Sequence, residues 1–130
     1  MAKISFLQAP TFKVDVEMPR LGSTPVKVSV TYHHLNRDQL AELADSDIAY
    51  TREMKDLTQS EEASVADVTG KAKEHQLVQL KRVVAGWGFA EELNDENLQA
   101  LVDHSAETAV AILSAFRTSY EKAREGNLKA

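Results

Sequence analysis

The sequence predicts an α+β fold, in which an N-terminal antiparallel β-hairpin precedes a mainly α-helical body. Two segments before residue 34 alternate apolar and polar residues with the period of two that is typical of half-buried strands. From residue 37 onward, apolar residues recur instead at helical spacings of three and four. We therefore expect a single domain over residues 1–130, with a hairpin region over 1–34 and a helical region over 35–130.

The hairpin is predicted from residues 11–18 and 26–32. Each segment places its apolar residues on one face: Phe12, Val14, Val16 and Met18 in the first, and Val26, Val28, Val30 and Tyr32 in the second. The intervening PRLGSTP has a proline at each end and an internal glycine, which predicts a turn or loop. An isolated hairpin is marginally stable in water, so the helices that follow are expected to cover its apolar face. The preceding KISFLQ is a candidate for a short edge strand.

The first helix is predicted to start at Arg37, with Asn36 as its N-cap. Leu40 and Leu43 begin an apolar stripe. The polar segment 45–58 does not clearly continue this stripe, and we interpret it as irregular or as helical with breaks.

A long central helix is predicted over residues 60–86. Thr58 with Glu61 has the spacing of a capping box, and Ser60 is an alternative cap. Gly70 lies inside this helix, where glycine costs about 1 kcal/mol relative to alanine, so a bend or break is expected there if anywhere. The apolar stripe of the helix follows helical steps: Val65, Val68, Ala72, Leu77, Leu80, Val84 and Trp87.

Two further helices are predicted after residue 93. Asn94 is expected to cap a short acidic helix that carries Leu98, Leu101 and Val102. A last helix is expected to start at Ser105 and to stop at Gly126. Its apolar stripe contains Ala109, Ile112, Leu113, Phe116 and Tyr120.

Trp87, the single tryptophan of the chain, lies between Gly86 and Gly88. Because glycine adopts backbone conformations that other residues avoid, a sharp turn is expected at this joint. Phe89 and Leu93 extend the apolar surface past the turn, so aromatic side chains would fill the corner where three helices meet. Two interpretations stay open: a core anchor at a tight turn, or an aromatic cluster that is partly open to a partner.

Composition excludes several classes of function. The chain has 130 residues and a formal net charge of −5, which disfavours a general nucleic-acid binder, since phosphate contacts require clustered Lys and Arg. It contains no cysteine, which excludes disulfides, thiolate metal sites and a cysteine nucleophile. No apolar run approaches the roughly 18–20 residues that span a bilayer, and the N-terminus does not resemble a secretory signal. These features predict a soluble, acidic, cytoplasmic protein.

The sequence shows no motif for catalysis, metal binding or cofactor binding. His33 and His34 are adjacent at a strand end and therefore point to opposite faces, while His75 and His104 are isolated. The sequence also lacks phosphate-binding glycine motifs and a nucleophile elbow. We therefore expect no catalytic residue, no metal and no cofactor.

Acidic residues are concentrated between residues 91 and 103, where no basic residue occurs. They are Glu91, Glu92, Asp95, Glu96 and Asp103. Two interpretations stay open: an acidic patch for a basic partner, or the solvated start of a helix whose dipole favours negative charge.

Four stretches of the chain resemble one protein family. They are APTFKVDVEMP in the first strand, VKVSVTYHHLNRDQLAEL from the second strand into the first helix, VVAGWGFAEELNDENLQALVD around Trp87, and AETAVAILSAFRTSYEKAREGN in the last helix. In this combination the chain resembles the tail assembly chaperones of long-tailed bacteriophages and related prophages. The stretch around Trp87 is the most specific of the four, and the resemblance covers most of the chain.

The resemblance implies a small cytoplasmic protein that is not an enzyme. Such proteins bind the long, aggregation-prone tape measure protein, keep it soluble, help to recruit the major tail protein, and are absent from the finished virion. Many are made in two lengths, the longer through a programmed ribosomal frameshift, and an end after a helix stop would suit the shorter form. A helical body with an aromatic corner is compatible with helix-in-groove binding. The residues expected to contact the partner are Trp87, Phe89, Leu93, Leu98 and Leu101, with Phe116 and Tyr120 behind them.

Three alternatives remain open at this point. The chain could instead be a stable phage tail component, a tube or connector part, that assembles through the hairpin edge. It could be a small regulatory adaptor with another client, or an enzyme, although no group of residues suggests an activity. The sequence does not define an oligomeric state, although exposed strand edges and an aromatic corner both favour a homo-oligomer.

Overall fold

The computed structural model describes the backbone of residues 3–129 and the side chains of residues 3–123. Its elements, in chain order, are β1 (Thr11–Arg20), β2 (Ser23–His33), α1 (Arg37–Gln59), α2 (Val65–Val83), β3 (Val84–Trp87), α3 (Asp95–His104) and α4 (Ala106–Lys129). The predicted α+β class, with an N-terminal antiparallel hairpin followed by helices, is confirmed.

The hairpin is longer than predicted. β1 and β2 pair antiparallel with Val14 opposite Val30, so their apolar residues share one face. The strands continue into residues 19–25, which the sequence predicts to be a loop, and close at a tight turn over Leu21 and Gly22. Gly22 has a φ of 72°, a left-handed conformation that glycine adopts without Cβ strain.

The N-terminal segment does not form the predicted edge strand. The carbonyl oxygen of Pro10 accepts a hydrogen bond from the backbone N–H of His34 at 2.9 Å. This bond lies at the N-terminal end of β1, just beyond the pair Thr11–His33. Beyond His33 the chain turns into α1, so β2 offers no further residues with which residues 3–8 could pair. Ile4 and Phe6 are consequently 99% and 89% exposed.

The predicted long helix over residues 60–86 is wrong at its C-terminal end. α2 ends at Val83, and Val84–Trp87 form β3, which pairs antiparallel with the end of β2 to give the sheet order β1–β2–β3. The spacing of three between Val84 and Trp87 fits a helical stripe equally well, and a strand of 4 residues is too short to show an alternation of its own. The long-range pairing with β2 therefore decides the conformation here.

α1 is one continuous helix, so the interpretation of residues 45–58 as irregular or broken is wrong. Asn36 caps it as predicted, through two reciprocal hydrogen bonds with Gln39 at 2.9 Å. Asp47, a charged residue, takes one of the inward positions of the helix. The helical spacing of apolar residues is therefore interrupted in the sequence. The full stripe, buried or half-buried throughout, is Leu40, Leu43, Asp47, Tyr50, Met54 and Leu57.

α2 begins later than predicted. Ser64 caps it in a capping box with Asp67, so the predicted caps at Thr58 and Ser60 are wrong. An aspartate takes the third helical position here, where Glu or Gln is the usual signal of a capping box. Ser60 instead ends α1. Gly70 lies inside α2 without interrupting it, because the helix is continuous over Val65–Val83.

Asn94 caps α3 as predicted, and its side chain accepts a hydrogen bond from the backbone N–H of Asn97 at 2.8 Å. α4 begins directly after Ser105, but its backbone continues past Gly126, so the predicted stop there is wrong. Glycine stops a helix through a left-handed conformation, and among the described residues only Gly22 has a positive φ. Within the described part of the chain, no helix is both long and apolar enough to cross a membrane.

The core lies between the inner face of the sheet and helices α2, α3 and α4. Its most deeply buried large side chains include Tyr32, Phe116, Ile112 and Leu80. The Tyr32 hydroxyl donates to the carbonyl oxygen of Ile112 at 2.8 Å and so ties β2 to α4. Burial raises the pKa of Tyr32 well above its ordinary value, which keeps this hydroxyl protonated as a donor.

Helices α1 and α2 extend away from this core as a helical arm, which comprises residues 44–76. None of these residues is buried. Leu43, just before the arm, belongs to the hydrophobic core, and Leu77, just after it, packs against that core. Lys71 Nζ lies 2.6 Å from a carboxylate oxygen of Glu53 and bridges the two arm helices; this hydrogen bond raises the pKa of Lys71. The two arm helices thus contact each other, and Lys73 and Asp47 also join the arm to α3 and α4.

Candidate functional site

Trp87 ends β3 at the joint between the sheet and α3. It pairs with Val30, whose side chain is buried, so the Trp87 ring lies on the helix-covered face of the sheet. The ring meets that of Phe89 edge-to-face at a centroid distance of 5.1 Å. Its Nε1 donates to the carbonyl oxygen of Glu91 at 2.8 Å. These two contacts hold the ring in one half-buried position.

The glycines beside Trp87 do not form the sharp turn that the sequence predicts. Gly86 lies in β3, and the Gly88 N–H donates to the carbonyl oxygen of Ser29 at 2.8 Å, so the chain follows β2 through both residues. Neither glycine has a positive φ. A Cβ at Gly88 would lie 3.4 Å from the Ser29 oxygen, which is an ordinary van der Waals contact, so the strand pairing does not require glycine here. The turn follows, at residues 89–91.

Trp87, Phe89 and Leu101, three of the predicted contact residues, line one surface cavity of about 340 Å³, which we call the Trp87 groove. Its other lining residues come from the segment after β3, from α3, and from the start of α4: Glu91, Asn97, Ala100, His104, Ser105 and Thr108. The groove therefore combines residues of a strand, a connecting segment and two helices.

A second, larger cavity of about 850 Å³ adjoins the Trp87 groove and lies beside the turn of the hairpin; we call it the hairpin groove. The hairpin contributes Val26 and Val28 to its lining, and Leu21 at the turn is fully exposed. The apolar surface thus continues from Trp87 along the hairpin. The residues that both grooves share are Phe89, Glu91, His104, Ser105 and Thr108.

The other four predicted contact residues lie outside these grooves. Leu98 and Phe116 belong to the core and are 5% and 2% exposed. Leu93 packs half-buried against the core and is not among the lining residues of either groove. Tyr120 belongs to a separate aromatic cluster, where its ring meets that of Phe12 at 6.1 Å. The structure therefore brings three of the seven residues together at one surface.

The acidic residues beyond the joint divide into two sets. Lys73 Nζ lies 2.8 Å from Asp103 Oδ1, and this hydrogen bond, with a second from Gln99, holds the pKa of Asp103 below its ordinary value. Lys81 forms a looser pair with Asp95 at 3.6 Å. Four carboxylates make no ion pair with any side chain that the structure describes: Glu91, Glu92, Glu96 and Glu107.

A second group of polar side chains lies at the base of the helical arm, and no motif in the sequence indicates it. Asp47 Oδ1 lies 2.9 Å from His75 Nε2 and accepts a hydrogen bond from Gln79 Nε2 at 3.0 Å. Its Oδ2 accepts one from Arg117 at 3.2 Å, and Tyr50 stacks on the His75 ring at 4.0 Å. One carboxylate thus joins α1, α2 and α4. The one sequence signal for this group is the position of Asp47 within the inward stripe of α1.

This group, which we call the polar layer, is best explained as structural. His75 Nε2 faces the Asp47 carboxylate, whereas acyl transfer requires a nucleophile within hydrogen-bond reach of the histidine. In the part of the chain that the structure describes, no three His, Asp or Glu side chains are placed to hold a metal ion.

Gln79 is 1% exposed and its Oε1 has no partner. The reverse amide orientation would place that oxygen against the Asp47 carboxylate, which explains why the amide nitrogen faces Asp47.

We expect Asp47→Ala to destabilise the fold by about 2–3 kcal/mol, because it removes hydrogen bonds to a carboxylate and takes the acceptor from the buried Gln79 amide. Urea unfolding followed by circular dichroism measures this change in the free energy of unfolding. Asp45→Ala, at an exposed position of the same helix, is the matched control and should cost less than about 0.5 kcal/mol. Equal effects of the two variants would show that the polar layer adds no stability.

Comparison with known protein families gives one match. A family model described as phage tail assembly chaperone matches residues 1–127, which is nearly the whole chain. No curated protein and no solved structure matches the chain. The resemblance inferred from the sequence is therefore confirmed.

Proposed function

Because this chain belongs to the phage tail assembly chaperone family, we propose that it binds the tape measure protein of its phage and keeps that client soluble until the tail is built. In the same role it helps to recruit the major tail protein around the client. It acts in the host cytoplasm without catalysis and is absent from the mature virion. The observation that carries the proposal is the family match over residues 1–127.

The Trp87 groove supports the binding part of this proposal. A chaperone for an aggregation-prone client must offer apolar surface, and tryptophan is enriched among the residues that dominate binding energy. The rings of Trp87 and Phe89 are half-buried, so part of each ring is available to a partner. Because the Nε1 bond to Glu91 already fixes the Trp87 ring, binding requires little further ordering of this side chain.

An assembly chaperone must also release its client. A dissociation constant in the micromolar range, which corresponds to about −8 kcal/mol, is compatible with both binding and release. Several copies bound along one long client would add avidity, since each additional contact is made at a high effective concentration. We therefore expect weak binding at each site and strong retention on the whole client.

Co-expression of the tagged chain with the long reading frame beside its gene tests this function. The long protein should become soluble in the presence of the chain and should co-purify with it. Leu101→Asp, which places a charge in the Trp87 groove, should abolish this solubilisation. Val110→Asp introduces the same charge at an exposed position outside both grooves and should leave it intact. Circular dichroism establishes that both variants fold. A long protein that stays insoluble with the unaltered chain would contradict the proposed function.

The sheet edge favours a second candidate function, that of a stable tail component. β1 is an edge strand of 10 residues whose outer side pairs with no described strand, and such an edge can add a strand from another protein. Immunoblotting of purified phage particles separates the two functions. A chaperone should be missing from the particles, whereas a tube or connector part should be present in them.

A further inference from the structure

We propose that the Trp87 groove and the adjoining hairpin groove bind a cationic amphipathic helix, one whose apolar stripe is flanked by Lys or Arg. This inference rests on the proposed function, because it specifies which kind of segment of the client the chaperone holds. It is carried by three properties of the surface: its apolar lining, its carboxylates, and the hydrogen bonds already made within its walls.

Apolar residues line both grooves, although four of the five residues that the grooves share are polar. Phe89 lines both of them, with Trp87 and Leu101 on one side and Val26 and Val28 on the other. An amphipathic helix presents apolar residues at spacings of three and four, which form a stripe along one face. Apolar residues distributed over two adjoining grooves match such a stripe better than they match a single inserted side chain.

The charge around the grooves has one dominant sign. No Lys or Arg occurs in the sequence between Arg82 and Arg117, whereas six carboxylates do: Glu91, Glu92, Asp95, Glu96, Asp103 and Glu107. Lys81 and Lys73 pair with Asp95 and Asp103. Glu91 lines both grooves and Glu107 lines the hairpin groove, and neither pairs with a described cation.

The single arginine that lines this surface is Arg20, beside the hairpin turn, and His104 is the remaining ionisable base. Glu91 lines both grooves and therefore lies where they adjoin, next to Trp87. Its backbone carbonyl accepts the Trp87 Nε1 hydrogen bond, so a helix with basic flanks that contacts the indole ring would pass close to this acidic residue. Complementary charge of this kind adds specificity and raises the rate of association.

The polar groups of the walls favour a helix over an extended segment. The Trp87 indole donates to the Glu91 carbonyl, the Asn97 amide donates to the Glu92 carbonyl at 2.7 Å, and the Ser105 and Thr108 hydroxyls bond to each other at 2.6 Å. These wall groups are already paired. An extended segment laid in the groove would bury its own N–H and C=O groups against them, whereas a helix satisfies those groups internally.

Trp87 reports on occupancy directly, because it is the single tryptophan of the chain. The probes are two synthetic amphipathic helices without aromatic residues, which share one leucine stripe and carry either lysine or glutamine on both flanks. Titration of the unaltered protein should shift Trp87 fluorescence with both peptides. The lysine peptide should bind about tenfold more tightly at low ionic strength, and added salt should remove most of this advantage.

The double variant Glu91→Gln with Glu107→Gln should reduce the advantage of the lysine peptide and leave binding of the glutamine peptide unchanged. Asp15→Asn with Glu17→Gln removes the same charge from the exposed outer face of the hairpin and is the matched control. Equal affinity of the two peptides, an equal effect of the control, or no change of Trp87 fluorescence would each overturn the inference. If the client co-purifies while the two peptides bind equally, the inference alone fails. If the lysine peptide binds more tightly but the client does not co-purify, the proposed function fails instead.

Discussion

Trp87→Ala should weaken binding of the proposed client, the tape measure protein, by about 30-fold or more, the loss typical when a central aromatic residue of an interface is truncated. Trp87 has the largest apolar side chain among the residues that line the Trp87 groove, and its contacts with Phe89 and the Glu91 carbonyl hold it in place before the partner arrives. Truncation therefore removes both contact area and the ordering of the surrounding segment. Titration of the labelled client with the purified variant measures the change in affinity.

Two further variants make this result specific. Trp87→Phe keeps an aromatic ring but loses the Nε1 donor, and it should recover part of the affinity. Tyr120→Ala truncates an aromatic residue of the separate cluster around Phe12, which lies outside both grooves, and should bind almost normally. If Trp87→Ala is folded and binds as well as the unaltered chain, the client is held elsewhere. A loss confined to Tyr120→Ala would move the site to the Phe12 cluster.

Phe116→Ala should lower the free energy of unfolding by about 3–5 kcal/mol, because it opens a cavity in a closely packed core. The ring is 2% exposed and meets those of Tyr32 and Tyr120 at centroid distances of 5.5 and 5.1 Å. Domains of this size are typically stable by about 5–15 kcal/mol, so the variant would lose a large part of its stability. Urea unfolding followed by circular dichroism measures this loss.

Ser114→Ala, at an exposed position of the same helix, is the matched control and should change stability by less than about 0.5 kcal/mol. Phe116→Leu keeps most of the volume and should fall between the two. These variants also separate the two roles considered for Phe116. A contact residue held for a partner would tolerate alanine without loss of stability, whereas a core residue would not.

The hairpin could be predicted because its signal is local. Apolar residues alternate over both strands, and pairing them requires a single short turn, so the face and partner of each strand follow from the sequence. The caps at Asn36 and Asn94 are local in the same sense, since each involves residues three positions apart. The fold class therefore follows from patterns that short stretches of the sequence contain.

The elements that the sequence conceals depend on distant partners. β3 exists because the end of β2 pairs with it, and four residues, one of them glycine, carry no strand signal of their own. α1 conceals its period because Asp47 takes an apolar position, and that choice of residue is explained only when α2 is packed against it. In both cases the conformation depends on contacts between residues that are far apart in the sequence, so no short stretch of the sequence reveals it.

The candidate site shows the same limit. The sequence could indicate three of the groove residues as contact residues: Trp87, Phe89 and Leu101. They are large apolar residues near a glycine-flanked joint, and such residues can belong either to a core or to a binding surface. Sequence periodicity does not distinguish the two, and Leu98 and Phe116, chosen on the same grounds, are buried. The contribution of Val28 from the hairpin to the neighbouring groove arises from the packing of the sheet against the start of α4.

The polar layer at the base of the arm determines how α1 and α2 are aligned. Two helices that pack only through apolar side chains can shift by one helical repeat with little loss of free energy, because successive apolar layers resemble one another. Sliding here would separate Asp47 from His75 and Gln79 and leave the buried Gln79 amide without its acceptor, which typically costs about 1–3 kcal/mol. A few polar side chains thus favour a single register for helices that otherwise share little buried surface. Through Arg117 on α4 the same layer also connects the arm to the body that carries both grooves.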